Sequence, residues 1–383
     1  IVLIIGVISS LFTAVLVGRL MIDYWTKTKG NDISFSTNFS KNAFANLNIN
    51  WLGKRKVAYG ISLAIIGLGI ASMFVRGFDL GVDFKGGYSY NITFDEDVTA
   101  QQVREQLTTT FGSEPTVKAV DTENTYNVVT DYLVDDTEED ASNRVMAKLH
   151  EGIVAVTGSS VALDKFSDTE STGTHVISSS KVGPTIADDI QTSAFYSAVF
   201  ALLLIFLYIF IRFSKWQYSM GAVAALFHDV LVVLSIFSIF HGILPFALEI
   251  DQNFIAAILT VIGYSINDTV VVFDRIREFL NQYTKKGKEE VINLAINSTV
   301  SRTVITSLTT LFVVGILFVF GGASIRGFAF ALLVGIIVGT YSSIFIATPV
   351  MSDLTGDLEA RVAKQPKVAG TFTRREVADT REP

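Results

Sequence analysis

Apolar residues fall along this chain in seven long runs, covering roughly residues 1–22, 57–76, 190–213, 217–240, 252–274, 303–321 and 325–350. As a helix, each run is long enough to cross a hydrocarbon layer about 30 Å thick. The stretch from 78 to 189 has a different rhythm. Tyr88–Phe94 alternates like a strand, and Val98–Phe111 has helical spacing with Asp97 or Thr99 placed to cap it. Val117–Asp121 and Tyr126–Leu133 read as strands, Thr137–His150 as a second helix, and residues near 160–166 and 174–181 as further strands. That order, βαββαβ, predicts a small ferredoxin-like α+β domain inserted between the second and third runs. Residues 276–297 are amphipathic, with Phe279, Val291, Leu294 and Ile296 apolar, and predict an interfacial helix. The stretch 23–56 reads as a polar linker with an amphipathic piece around Phe39–Ile49, and 351–383 as a tail that is polar and disordered from about 365.

Charge orients these runs. Residues 19–56 carry seven Lys or Arg, the turn after the third run holds Arg212 and Lys215, and 275–302 carries six more. The alternate connections, His241–Asp251 and Gly321–Ser324, contain no Lys or Arg. By the positive-inside rule the chain starts outside, the linker and tail are cytoplasmic, and the 78–189 domain, with 21 acidic and 7 basic residues, lies on the outer side. The chain opens with Ile1 inside an apolar run, without Met or a signal-peptide n-region, and reads as part of a longer protein.

Half the residues are hydrophobic, 17% are charged and the mean hydropathy is +0.45, which excludes an ordinary soluble domain and predicts a polytopic α-helical membrane protein. A net charge of -7 is no nucleic-acid signature. There is no cysteine, no His/Cys metal cluster, no catalytic triad and no Walker-type phosphate loop, so no cofactor is expected. Gly81–Gly87, G-V-D-F-K-G-G, is Gly-rich but lacks Walker spacing. Energy would have to come from an ion gradient or a partner.

Against this background the polar residues inside the apolar runs carry the chemistry. Asp268 lies about 10 Å from the aqueous end of the fifth run, flanked by Asn267 and Thr269, with Gly263 and Ser265 offering close helix approach. A carboxylate there marks a proton or ion site, or else a structural ion pair that orients the bundle. Arg302, at the start of the antiparallel sixth run, has a compatible depth and is the expected partner of Asp268, its alternative role being to snorkel to headgroup phosphates. His228 and Asp229 sit midway along the fourth run, as members of a polar relay or as a hydrogen-bonded structural pair.

The first run contains G-V-I-S-S-L-F-T-A from Gly6 and the last contains G-T-Y-S-S-I-F-I-A from Gly339, with five identities in register and the same direction across the membrane. This suggests a parallel duplication in which the first run closes an earlier repeat.

G-V-D-F-K-G-G at 81–87, V-G-P-T-I-A-D-D at 182–189, F-H-D in the fourth run, G-Y-S-I-N-D-T-V-V-V-F-D-R-I-R-E at 263–278 and S-R-T at 301–303 together resemble the SecF half of the SecD/SecF protein-translocation factors, within the resistance–nodulation–division superfamily. The resemblance implies a transmembrane bundle of that type and a first run equivalent to the last SecD helix of a fused protein. It implies an inner-membrane auxiliary factor that works with the SecY/SecE/SecG translocon, a SecD-like half and membrane lipids, drawing the preprotein outward on a proton or sodium gradient. It also implies that Asp268 carries the ion and that Arg302 is its functional partner. A small-molecule or lipid exporter of the same superfamily is the alternative, against which the compact outer domain argues.

Overall fold

The computed structural model describes residues 2–29, 47–120, 124–136, 138–158, 161–244 and 246–355. The amphipathic piece expected near Phe39–Ile49 falls largely outside these residues, as does the tail beyond 355. The chain divides into two units, residues 1–47 and 48–383. In the first, α1 (Val2–Leu11), a π-helical stretch (Phe12–Val17) and α2 (Gly18–Lys29) follow one another.

The second unit begins with a 3-10 turn (Leu52–Lys54) that leads into α3 (Arg55–Val75). After α3 come β1 (Asp79–Leu80), the one-turn α4 (Val82–Lys85), β2 (Gly87–Thr93), α5 (Ala100–Phe111), β3 (Thr116–Ala119), β4 (Thr125–Thr130), α6 (Ala141–Thr157), α7 (Leu163–Ser167) and β5 (His175–Val182). The membrane bundle continues with α8 (Pro184–Phe213), α9 (Trp216–Phe240), β6 (Glu249–Ile250), α10 (Gln252–Gln282), α11 (Lys288–Phe320) and α12 (Gly322–Ser342). A second π-helical stretch (Ser343–Ala347) and α13 (Thr348–Leu354) complete the described chain. Among the described residues seven helical segments are long and apolar enough to cross a membrane, one for each apolar run.

The inserted domain is a four-stranded antiparallel sheet in the order β3-β4-β2-β5, the ferredoxin-like arrangement. Thr99 caps α5 through a reciprocal capping box with Gln102, and Gly112, in the left-handed region at φ 77°, ends it. Alternate residues of β2 (Tyr88, Tyr90, Ile92) meet Val103 and Leu107 of α5 and Val145, Leu149 and Ile153 of α6 in one core. The strand expected at 160–166 is instead α7: Leu163–Ser167 makes a single turn that buries Phe166.

No separate interfacial helix forms at 276–297. α10 runs on to Gln282, α11 begins at Lys288, and only Tyr283–Gly287 intervenes. The apolar residues there extend the periodicity of the two long helices, so Ile276 is buried on α10 and Val291, Ile292, Ala295 and Ile296 are buried on α11.

Sheet domain and bundle are stitched together at the end of α3. β1 pairs in parallel with β6, Asp79 opposite Glu249 and Leu80 opposite Ile250. Lys118, on the edge strand β3, bonds Asp79 Oδ2 at 3.0 Å and also pairs with Glu249. At the opposite end of the bundle Asn297 of α11 holds the segment before α3. Its Oδ1 accepts from the Ile49 amide (3.2 Å) and from Trp51 Nε1 (2.9 Å), while its Nδ2 donates to the Ile49 carbonyl (3.0 Å).

Candidate functional site

Small residues bring α3, α9, α10 and α12 close enough for side-chain hydroxyls to reach two carboxylates. A Cβ on Gly339 would lie 3.0 Å from that of Ser265, and Gly69 of α3 abuts Ser235 of α9 more tightly still. Asp229 on α9 is fully buried. Its Oδ2 accepts from Ser265 Oγ of α10 (2.6 Å) and Ser342 Oγ of α12 (2.8 Å), and its Oδ1 lies 3.0 Å from His228 Nδ1. The other imidazole nitrogen, Nε2, is 2.9 Å from Ser62 Oγ on α3, which in turn lies 3.1 Å from Tyr341 Oη; that hydroxyl donates to the Ala58 carbonyl (2.9 Å).

Proton counting limits this chain. If Tyr341 donates to Ala58, Ser62 must donate to Tyr341, and His228 Nε2–H must then donate to Ser62. The Nδ1···Oδ1 contact needs a second proton, carried by the ring or by Asp229. All contacts are thus made at once when the His228–Asp229 pair has taken up a proton. Without it, one contact is given up: either Nε2–H stays on Ser62 and the Nδ1···Oδ1 bond is lost, or Nδ1–H stays on Asp229, the pattern reverses through Ser62 and the Tyr341–Ala58 bond is lost. His228 and Asp229 are thus hydrogen-bonded to each other, a contact compatible with either expected role.

Asp268 is one turn beyond Ser265 on α10 and 3% exposed. Its partner is Ser307 Oγ of α11, 3.5 Å from Oδ2, at the long limit of a hydrogen bond. Ser307 Oγ lies 2.6 Å from Thr340 Oγ1 of α12, which donates to the Ile336 carbonyl at 2.7 Å. Ser307 has one proton and two acceptors to serve. A protonated Asp268 donates to Ser307, Ser307 to Thr340 and Thr340 to Ile336, and the series is complete; an ionised Asp268 calls the Ser307 proton back and disrupts it.

The expected ion pair of Asp268 with Arg302 is not formed. Arg302 makes no ion pair with any described residue, and its charge reaches Asp268 only through space. The reason is axial: α11 offers Ser307 to the carboxylate, and Arg302 is five residues, about 7.5 Å, nearer the helix start. Arg302 instead lines a cavity of about 680 Å³ shared with Arg212, Asp274 and Arg275. Nor do Asn267 and Thr269 support the carboxylate by contact: neither hydrogen-bonds it, since Asn267 faces outward on α10 and Thr269 is buried on another side. Ser62, Ser307, Thr340 and Tyr341 escaped the reading of the sequence, because a hydroxyl in an apolar run bonds its own backbone as readily as a distant partner. The signal that could have found Ser342 was the Ser-Ser pair of the internal repeat, whose later copy supplies it. Among the described residues no group of His, Asp and Glu has the arrangement of a metal site.

Residues 162–357 match the family described as protein export membrane protein SecD/SecF, C-terminal, and residues 71–98 match the SecD/SecF GG motif. The chain is 48% identical over 318 residues to protein translocase subunit SecF of Rhodothermus marinus, covering 83% of this chain and 97% of that one. It is 35% identical to the SecF subunit of Petrotoga mobilis, over 79% of this chain and 95% of that one. Among solved structures it is similar to SecDF of Thermus thermophilus, a translocon-associated membrane protein, with a TM-score of 0.73 and 28% identity over 92% of this chain. A SecDF structure in a super-membrane-facing form gives 0.64 and 29% over 94%. The chain spans 44% and 45% of the lengths of these two SecDF chains.

Proposed function

The chain belongs to the SecD/SecF family of protein-export membrane proteins, and from that premise we propose that it couples the export of preproteins to proton movement through Asp268. Its role is auxiliary to protein export, in association with the Sec translocon, and it is a multi-pass membrane protein rather than a small-molecule exporter of the wider superfamily. SecY, SecE and SecG are the partners we assign to it within the translocon. The Lys- and Arg-rich connections support an orientation with the end of the bundle that bears Arg302 in the cytoplasm and the sheet domain on the outer side.

One observation carries the coupling: a buried carboxylate with no ion pair, heading a series of hydroxyls that is complete only when the carboxyl carries a proton. Proton uptake closes the link from α10 through α11 to α12. Release leaves a bare carboxylate among apolar helices, which draws the Arg302 guanidinium inward or forces the helices to repack. Alternation between these packings is the movement delivered to the outer domain. A sodium ion is the second reading. The geometry favours the proton, because one carboxylate and one hydroxyl at 3.5 Å offer too few oxygens to replace a hydration shell.

The test is precursor export in cells depleted of the native factor and supplied with the full-length protein carrying Asp268→Asn. Precursors are expected to accumulate although the variant inserts at normal levels. Normal export by the inserted variant would remove Asp268 from the mechanism.

A further inference from the structure

The four arginines at the end of the bundle remote from the sheet domain are more than topology markers. Arg212, Arg275, Arg277 and Arg302 line one cavity of about 680 Å³ with Asp274 and Glu278. The carboxylates are already engaged: Asp274 is shared by Arg212 (2.8 Å) and Arg277 (3.0 Å), and Glu278 pairs with Arg275 (2.8 Å). Four guanidiniums against two carboxylates leave a net charge of +2. One of them, Arg302, has no ion pair or side-chain hydrogen bond to any described residue. Arg275 is aimed by a second bond, from its Nε to Ser298 Oγ at 3.0 Å. The cavity sits where apolar helix gives way to polar: Arg212 closes the apolar run of α8, and that of α11 starts just past Arg302. Immediately before Arg212, α8 carries exposed Leu204, Leu207, Tyr208 and Ile211.

We propose that this cavity binds a phosphate group, that of an anionic phospholipid, with the headgroup among the arginines and the acyl chains along the apolar surface of α8. A phosphate oxygen pair matches the fork of a guanidinium, and a diester supplies charge the cavity lacks. Basic pockets between spans at the membrane surface bind such headgroups. The site has a consequence for ion movement that rests on the reading above: a phosphate bonded to Arg302 competes with an ionised Asp268 for the same guanidinium. Lipid binding itself does not depend on that reading.

The experiment places the full chain in phosphatidylcholine nanodiscs titrated with phosphatidylglycerol and measures lipid retention by native mass spectrometry, with thermal unfolding alongside. Phosphatidylglycerol is expected to be retained in preference and to raise the unfolding temperature. Retention should weaken about tenfold in Arg302→Gln, the loss of one charge-assisted bond. Ser298→Asp, which keeps all four arginines but sets a carboxylate beside Arg275, should weaken it as well. Arg326→Gln, at the other end of the bundle, should leave it unchanged. Equal retention of the two lipids, or a preference that survives both Arg302→Gln and Ser298→Asp, overturns the proposal. So does stabilisation by inorganic phosphate in pure phosphatidylcholine equal to that by the lipid, which would assign the cavity to a free anion. Because the readout is lipid retention, a failure of Asp268→Asn to affect export leaves this result standing, and the reverse also holds.

Discussion

Ser265 donates to Asp229 across 2.6 Å, and through that contact α9 is bonded to the helix that bears the other membrane carboxylate. Asp268 is three residues further along α10, so the two acidic sites share a backbone segment less than one turn long. Movement of α10 that alters one hydrogen-bond set must strain the other.

Removing the buried acceptor should therefore be costly. Asp229→Ala leaves Ser265, Ser342 and His228 without their common partner and should lower stability by about 2–4 kcal/mol. Asp229→Asn keeps an oxygen for the serines and should cost less. Unfolding in detergent, followed by helical circular dichroism, compares them; equal midpoints for Asp229→Ala and the parent would show that the network holds nothing together.

Close approach of α10 and α12 is a condition for that network. Gly339→Ala puts a methyl group 3.0 Å from the Cβ of Ser265 and should cost about 1–3 kcal/mol by prising the helices apart. Ser265→Gly in the same chain removes the atom it meets, so the double variant should be less destabilised than the sum of the single ones. Strict additivity would mean that the two sites do not touch.

Asn297 fastens the segment before α3 through three hydrogen bonds. Asn297→Ala strands the Ile49 amide and carbonyl and the Trp51 indole, at about 2–3 kcal/mol. With Trp25 and Trp216 replaced by Phe, Trp51 emission should move to longer wavelength in the variant. An unmoved spectrum would argue that the segment is held by other contacts.

Lys118 neutralises two acids that would otherwise face each other across the β1–β6 pair. Lys118→Met should loosen that pair and speed amide exchange at Gly81, which donates to the Ile250 carbonyl at 2.9 Å, by about tenfold. Unchanged exchange at that amide would leave Lys118 no part in fastening the domain.

What could be read in the sequence was what repeats along one element. The seven spans and the alternation of Tyr88, Tyr90 and Ile92 are periodic, and Asp229 and Asp268 stand out because charge is rare in apolar runs. What could not be read depends on rotation between elements. Ser307 rather than Arg302 meets Asp268 because of the angular position and height of α11, which no local pattern fixes. The false strand at 160–166 and the reading of 276–297 as a separate interfacial helix have one origin. Short amphipathic stretches satisfy several periods, and only the burial of Phe166 and Ile276 in neighbouring cores decides between them.

The pairing of β1 with β6 gives the molecule a mechanical linkage. β1 begins four residues after α3 ends, and β6 is separated from α10 only by Asp251, which caps that helix by accepting from the Phe254 amide at 2.7 Å. α10 then runs without interruption to Gln282. A load on the sheet domain accordingly enters the bundle at the head of a stiff rod, and the rod carries Asp268 about 24 Å below the point of entry. On the function proposed above, tension on the sheet domain and protonation of Asp268 would act on opposite parts of one lever, so a polypeptide held fast by the sheet domain should resist a change of proton occupancy at the acid, as surely as the acid can move the polypeptide.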